Sequence, residues 1–276
     1  MSTGRGDRAQ RTEGIETSTE GAPGPAPSDA LPEARRILEA AAQAGVVLRA
    51  LGGVAVKLRC PSALSHPALV RVCTDIDLCT PGRDARHIPR LLSGFSYAPV
   101  RSFNALHGET RLMFESGATG RHLDVFIDTF EMCHRIPLGR RLALEPLTLP
   151  LAELLLTKLQ AVELADKDVR DIVAMLLDHD VGAADGETIN VAHIAALLGR
   201  DWGLHRTITG NLAAFIKLLD AGSVSLGGPE QECIVDRACR LVDGCSGTRK
   251  GMRWHLRAAV GERVGWRDRP EPGRHR

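Results

Sequence analysis

Two aspartates stand one residue apart, Asp75 and Asp77, inside the short apolar run Asp75-Ile76-Asp77-Leu78-Cys79. On a strand, residues i and i+2 share a face about 7 Å apart. Ile76 then points into the core while both carboxylates face one cavity. Two such carboxylates repel unless something positive lies between them, and a divalent cation is the usual answer. Paired hard metals about 3.5–4 Å apart serve in-line phosphoryl and nucleotidyl displacement. A third aspartate, Asp124, sits in the middle of His122-Leu123-Asp124-Val125-Phe126-Ile127. Alternation puts Leu123, Val125 and Ile127 on one face, with Asp124 and Asp128 on the other. A carboxylate within an apolar strand is costly to bury without a partner, and a metal shared with Asp75 and Asp77 supplies one. Asp128 reads as the polar end of the strand. Upstream, Gly52-Gly53 falls between an apolar strand and a helix, where bare backbone N–H groups suit an anionic phosphate at a helix N-terminus. The pair reads equally well as a tight turn that needs positive φ.

The elements that must position these residues follow from patterning. Asp29 is placed to cap a helix through Pro32 to Gly45, and residues 46–51 form a short strand running into the glycines. Residues 61–74 hold two prolines and read as a loop, 75–79 as a strand, and 84–95 as a helix. Residues 110–116 and 121–130 read as strands joined by Gly117-Ala118-Thr119-Gly120, a hairpin, and a short strand follows around 141–149. After Pro150 apolar residues recur at helical spacing, at 151, 154, 155, 159 and 162 and then at 169, 172, 173 and 176, and strand signals are absent. The expected fold class is α+β: a mixed β-sheet flanked by helices, followed by an all-helical C-terminal region. The expected divisions are a disordered tail (1–28), a catalytic domain (29–150), a helical domain (151–260) and a basic flexible tail (261–276).

Of 276 residues, 43% are hydrophobic and 25% charged, ordinary for a globular chain that needs no disulfide or metal staples. The net charge of +1 leaves no overall footprint for nucleic acid; the one asymmetry, nine Lys/Arg against three Asp/Glu from Arg249 to Arg276, reads as a solvated basic tail. Seven cysteines without a CxxC pair fit reduced thiols in a cytoplasmic protein. No apolar run reaches the roughly 18 residues that span a bilayer, so no membrane partner is expected.

A GG turn after a strand, a downstream DxD strand and a third Asp on a later strand resemble the nucleotidyltransferase superfamily to which DNA polymerase β belongs. Lys158-Leu159-Gln160-Ala161 followed by Lys167-Asp168-Val169-Arg170-Asp171 is similar to the helices of AbiEii/AbiGii-type toxin nucleotidyltransferases and their bacterial relatives. The resemblance covers roughly residues 30–180. One departure is the 21 residues between Gly53 and Asp75, more than the family usually has; the surplus matches the loop 61–74, where insertion is tolerated. The resemblance implies that Asp75, Asp77 and Asp124 bind Mg²⁺ or Mn²⁺, with Asp124 near the attacking hydroxyl. It implies that Gly52, Gly53 and Lys158 hold the triphosphate of an NTP, with Lys167, Asp168 and Asp171 in the same binding set. An NMP then passes to a hydroxyl of RNA or tRNA, of a protein or of a small molecule, and a toxin-like chain would have an antitoxin partner. For Lys158 the plainer alternative is an amphipathic lysine at the rim of an apolar stripe; for Lys167, Asp168 and Asp171 it is a helical salt-bridge set.

Two other functions compete. A glycosyltransferase also holds a metal and a nucleotide sugar with DxD, but the GG turn and the third Asp argue against it. A catalytically idle nucleotidyltransferase fold acting as a binding module is opposed by the presence of all three carboxylates. His179-Asp180 lacks the companions of an HD metal site, Cys133-His134 has no partners at catalytic spacing, and Trp202 and Trp254 read as core or interface aromatics.

Overall fold

The computed structural model describes residues 28–268; most of the expected disordered tail and the end of the basic tail lie outside the described residues. Helix α1 (Leu31–Gln43) begins where Asp29 Oδ1 accepts the Leu31 N–H at 2.9 Å, and Gly45 at φ 69° turns the chain away from it. Strand β1 (Arg49–Leu51) runs directly into α2 (Gly52–Arg59). A one-turn helix α3 (Ser62–Ser65) opens the loop that leads to β2 (Ile76–Thr80). Where one helix was expected over 84–95 there are two short ones, α4 (Gly82–Ala85) and α5 (Ile88–Ser93). Pro89, which has no N–H to continue the first, sits in the opening turn of the second. Strand β3 (Tyr97–Pro99) and α6 (Arg101–His107) precede the expected hairpin of β4 (Arg111–Ser116) and β5 (His122–Ile127).

The five strands form one mixed sheet in the order β1-β2-β5-β4-β3. Only β2 and β5 run parallel; every other pair is antiparallel. The two parallel strands lie inside the sheet, and Ile76, Leu78, Leu123 and Val125 are buried on the face opposite the aspartates. Strand β5 ends at Asp128, whose φ of 56° breaks the pleat while its carbonyl accepts from the N–H groups of Leu138 and Gly139. A small hairpin of β6 (Thr129–Glu131) and β7 (Arg135–Pro137) follows, and in place of a strand around 141–149 there is a 3-10 turn at Gly139–Ala143. Only Thr148 there bridges to the sheet, at Ala50.

The C-terminal half is helical with one exception. Helices α7 (Leu151–Leu159) and α8 (Asp166–Asp178) pack under the sheet against α2. Strands β8 (Asp180–Gly182) and β9 (Thr188–Asn190) then form a two-stranded parallel ribbon. It escaped the pattern because three-residue strands show no readable alternation. Helices α9 (Val191–Leu198), α10 (Trp202–Asp220), α11 (Gly228–Ser246) and α12 (Met252–Val260) complete the fold. Residues 261–268 continue it, with Trp266 donating its indole N–H to Thr207 Oγ1 at 3.3 Å. All seven cysteines are free. Among the described residues no helix is long and apolar enough to cross a membrane.

One buried ion set ties the halves together. Glu153 of α7 is fully buried; Arg141 donates to its Oε2 at 3.0 Å and His193 Nε2 of α9 lies 2.7 Å from Oε1. Burial pushes the Glu153 carboxyl up, but hydrogen bonds from His193 and Arg141 outweigh it and hold the group below its usual range. A carboxyl depressed by folding contributes stability above its unfolded pKa, about 4.3, that is lost as pH falls through the lower folded value. Glu153→Gln takes one of two carboxylates from half-buried Arg141, which keeps its paired hydrogen bonds to Asp185, and is expected to destabilise the protein by about 1–3 kcal/mol. Urea denaturation at pH 7 measures that loss, and the gap between wild type and variant should narrow as the pH is taken below about 4.

Candidate functional site

Register brings two of the three sequence-picked aspartates together. Asp77 on β2 pairs with Asp124 on β5, so the two carboxylates stand side by side on one face of the sheet. Asp75 sits in the bend just before β2, half-buried, rather than within the strand. The approach to it is fixed from beneath: buried Arg121 donates to the Thr74 carbonyl at 2.8 Å and to Ser28, and pairs with Glu33 of α1 at 2.9 Å. Lys57 of α2 pairs with Asp29, whose other oxygen starts α1.

Gly52 is the residue that closes on this pair. It holds φ at 67°, and a Cβ there would collide with Asp77 Oδ2, so both the turn and the close approach require glycine. Gly53 has an ordinary φ, but a Cβ on it would collide with the Arg71 guanidinium and stand 2.8 Å from Cys73 Sγ. The first turn of α2 is therefore wedged between a carboxylate on one side and a guanidinium on the other.

The Asp77 carboxylate accepts no hydrogen bond among the described residues. Burial, reinforced by Asp124 and Asp75, raises it to about 6 against the opposing pull of Lys158 and Arg111. Asp124 is buried and clasped by Arg111 of β4, Nε to Oδ1 at 2.9 Å and Nη2 to Oδ2 at 2.7 Å. The same guanidinium lies 4.9 Å over the Phe126 ring and 5.6 Å over that of Phe103. Among the described residues no three His, Cys, Asp or Glu side chains gather closely enough to hold a metal ion. The three aspartates are thus not a preformed cage. The oxygens of Asp75 and Asp77, hard donors without a protein cation bound to them, fit a divalent ion; Asp124 fits one only if Arg111 lets go.

The helical residues form a second layer. Lys158 of α7 is buried and pairs with Asp171 at 2.8 Å and Asp168 at 3.2 Å. Burial acts to lower its ammonium, but Asp171 and Asp168 prevail and hold it above the usual lysine value. Arg71 donates to both Asp171 oxygens, at 2.9 and 2.7 Å. Asp168 and Asp171, read from sequence as part of an NTP-binding set, here pair with Lys158 and, for Asp171, with Arg71. Lys167 is exposed and forms no ion pair among the described residues.

Arg71 and Arg111 were not singled out by sequence. Arg71 falls in the loop 61–74, and Arg111 opens a strand whose register against β5 no local pattern discloses. His179 is structural: its ring nitrogens lie 3.1 Å from the carbonyls of Glu187 and Arg59. His134 is spent on Thr207 at 2.8 Å. No protein-family model matches the chain, and no curated protein matches it.

Asp77→Asn removes an unpartnered charge beside Asp124. Measured in EDTA, its urea midpoint should rise, corresponding to about 1–3 kcal/mol. A fall would mean that the two carboxylates do not strain the metal-free fold.

Proposed function

We propose that the protein is a metal-dependent nucleotidyltransferase that moves an NMP from an NTP to an acceptor hydroxyl. The observation that carries this reading is the juxtaposition of Asp77 and Asp124 in register across β2 and β5, with Gly52 pressed against Asp77. Asp75 and Asp77 would hold Mg²⁺ or Mn²⁺, which when bound neutralises triphosphate charge and polarises the α-phosphorus. The first turn of α2 offers backbone N–H groups to phosphate oxygens. Arg71 and Lys158, held behind that turn by Asp171 and Asp168, supply the positive charge that a departing pyrophosphate needs. In the transfer, the acceptor oxygen bonds to the α-phosphorus as the bond to the β-phosphate bridging oxygen breaks. Asp124, once released from Arg111, would be the carboxylate to take the hydroxyl proton.

A second reading, a fold of this kind that binds nucleotide without transfer, draws on one observation: the two-point hold of Arg111 on Asp124. Magnesium-dependent NTP binding by calorimetry without any transfer product would favour it. The DxD glycosyltransferase alternative gains nothing from a glycine turn packed on Asp77, and binding of sugar nucleotides in preference to NTPs would restore it.

The test is transfer of label from each α-³²P NTP, with Mg²⁺ or Mn²⁺, to components of a cell extract. Wild type should label an acceptor, and Asp75→Asn/Asp77→Asn should reduce labelling to background with an unchanged circular dichroism spectrum. Arg71→Ala should weaken NTP binding about tenfold, the value of one charge-assisted hydrogen bond. Labelling that persists in the double variant would overturn the reading.

A further inference from the structure

A cavity of about 1480 Å³ opens in the helical half, between the start of α10, the end of α9, helix α12 and the β6–β7 turn, and Asp75, Asp77 and Asp124 are not among its lining residues. All three tryptophans of the chain, Trp202, Trp254 and Trp266, line it. So do six arginines against two aspartates, in a molecule whose net charge is only +1. Near-neutral proteins have no reason to gather positive charge in one concavity unless an anion is to enter it.

The lining divides by what its groups already do. Arg257 donates to the carbonyls of Gly261 and Val264 and lies 4.7 Å over Trp202; Arg267 donates to the Val162 carbonyl. These two build the wall. Arg135, Arg200, Arg249 and Arg253 are exposed and carry no ion pair or side-chain hydrogen bond among the described residues. Trp254 and Trp266 are half-buried, with their indole N–H groups fixed on the Leu198 carbonyl and on Thr207. Lys250 lies 4.8 Å over the Trp254 ring and Arg267 5.4 Å over the Trp266 ring. Both indoles are thus held in place without a ligand, and a base stacking on what they leave exposed meets little ordering cost.

We propose that this cavity binds single-stranded nucleic acid, with phosphates on Arg135, Arg200, Arg249 and Arg253 and bases on the half-exposed Trp254 and Trp266. Indole platforms interleaved with unpaired arginines are the chemistry that tracks a single strand without reading its sequence. The volume exceeds the roughly 300–1,000 Å³ of ordinary small-ligand sites, which favours a strand over a lone nucleotide. An acidic peptide would satisfy the arginines but make no use of the exposed parts of Trp254 and Trp266. The site goes beyond the carboxylate chemistry and needs no metal.

Because every tryptophan lines the cavity, fluorescence of the full-length protein excited where Tyr97 does not absorb reports on the cavity alone. The protein, in EDTA, is titrated with an oligouridylate of about twelve nucleotides. Saturable quenching is expected. At about −0.7 in log–log slope per phosphate, four contacts predict an affinity about fiftyfold weaker at 200 than at 50 mM salt. Arg200→Glu/Arg253→Glu, on exposed unpaired positions, should weaken binding at least about tenfold with an unchanged melting curve. Asp75→Asn/Asp77→Asn should bind as wild type. No quenching, equal affinity for UMP, or tighter binding of polyglutamate would each overturn the proposal. So would loss of binding in the aspartate variant with retention in the arginine variant, and that outcome would leave the nucleotidyltransferase reading standing.

Discussion

Two carboxylates set side by side in the middle of a sheet are the constraint on which the N-terminal half turns. Asp77 and Asp124 sit at matched positions on the two parallel central strands, where the neighbouring residues are apolar and buried. Like charges so placed raise each other's energy, and burial denies them water. The fold responds in two ways: Arg111 neutralises one of the pair, and the other is left without a hydrogen bond. A sheet selected for stability alone would carry valine or isoleucine at both positions. Retained strain of this kind is the feature from which the proposed cation site is argued.

Around that pair the cations are graded by what holds them. Arg111 is committed to Asp124 and boxed by two phenylalanines. Arg71 and Lys158 are committed to Asp171 on the far side of Gly53. These carboxylates desolvate with the cations and keep them charged in a place where burial alone would discharge a lysine. On the proposed function, a phosphate approaching the start of α2 would meet positive charge already oriented, without pulling flexible side chains out of water.

Much of this was legible in one dimension. The Asp-Ile-Asp run, the glycine pair and the lone acid of β5 are each a break in an apolar pattern, and such breaks are visible without neighbours. The long helices after Pro150 announced themselves by their 3.6-residue period. Hidden from sequence were the facts that depend on register and on chain crossing. Arg111 is thirteen residues from Asp124 and meets it only because β4 pairs antiparallel with β5 in one alignment. Arg71 is a hundred residues from Asp171. The loop 61–74, which looked like surplus length, is what delivers Arg71 to Gly53, so its length is matched to a contact and not spare.

The C-terminal segment shows the same dependence on fold. In sequence, nine basic residues after position 248 read as a solvated tail, because charge without apolar periodicity has no core to join. Three tryptophans spread over 65 positions alter that reading once α10 and α12 bring them to one concavity. Arg257 and Arg267 then lie over indole rings, which lets them be half-buried while still charged. The β6–β7 turn lies on the wall of this cavity, and β6 follows β5 after the left-handed Asp128. Met132 of that turn touches Arg111, whose Nη1 lies 3.7 Å from its sulfur. The guanidinium that holds Asp124 and the wall of the basic cavity thus meet at one short hairpin.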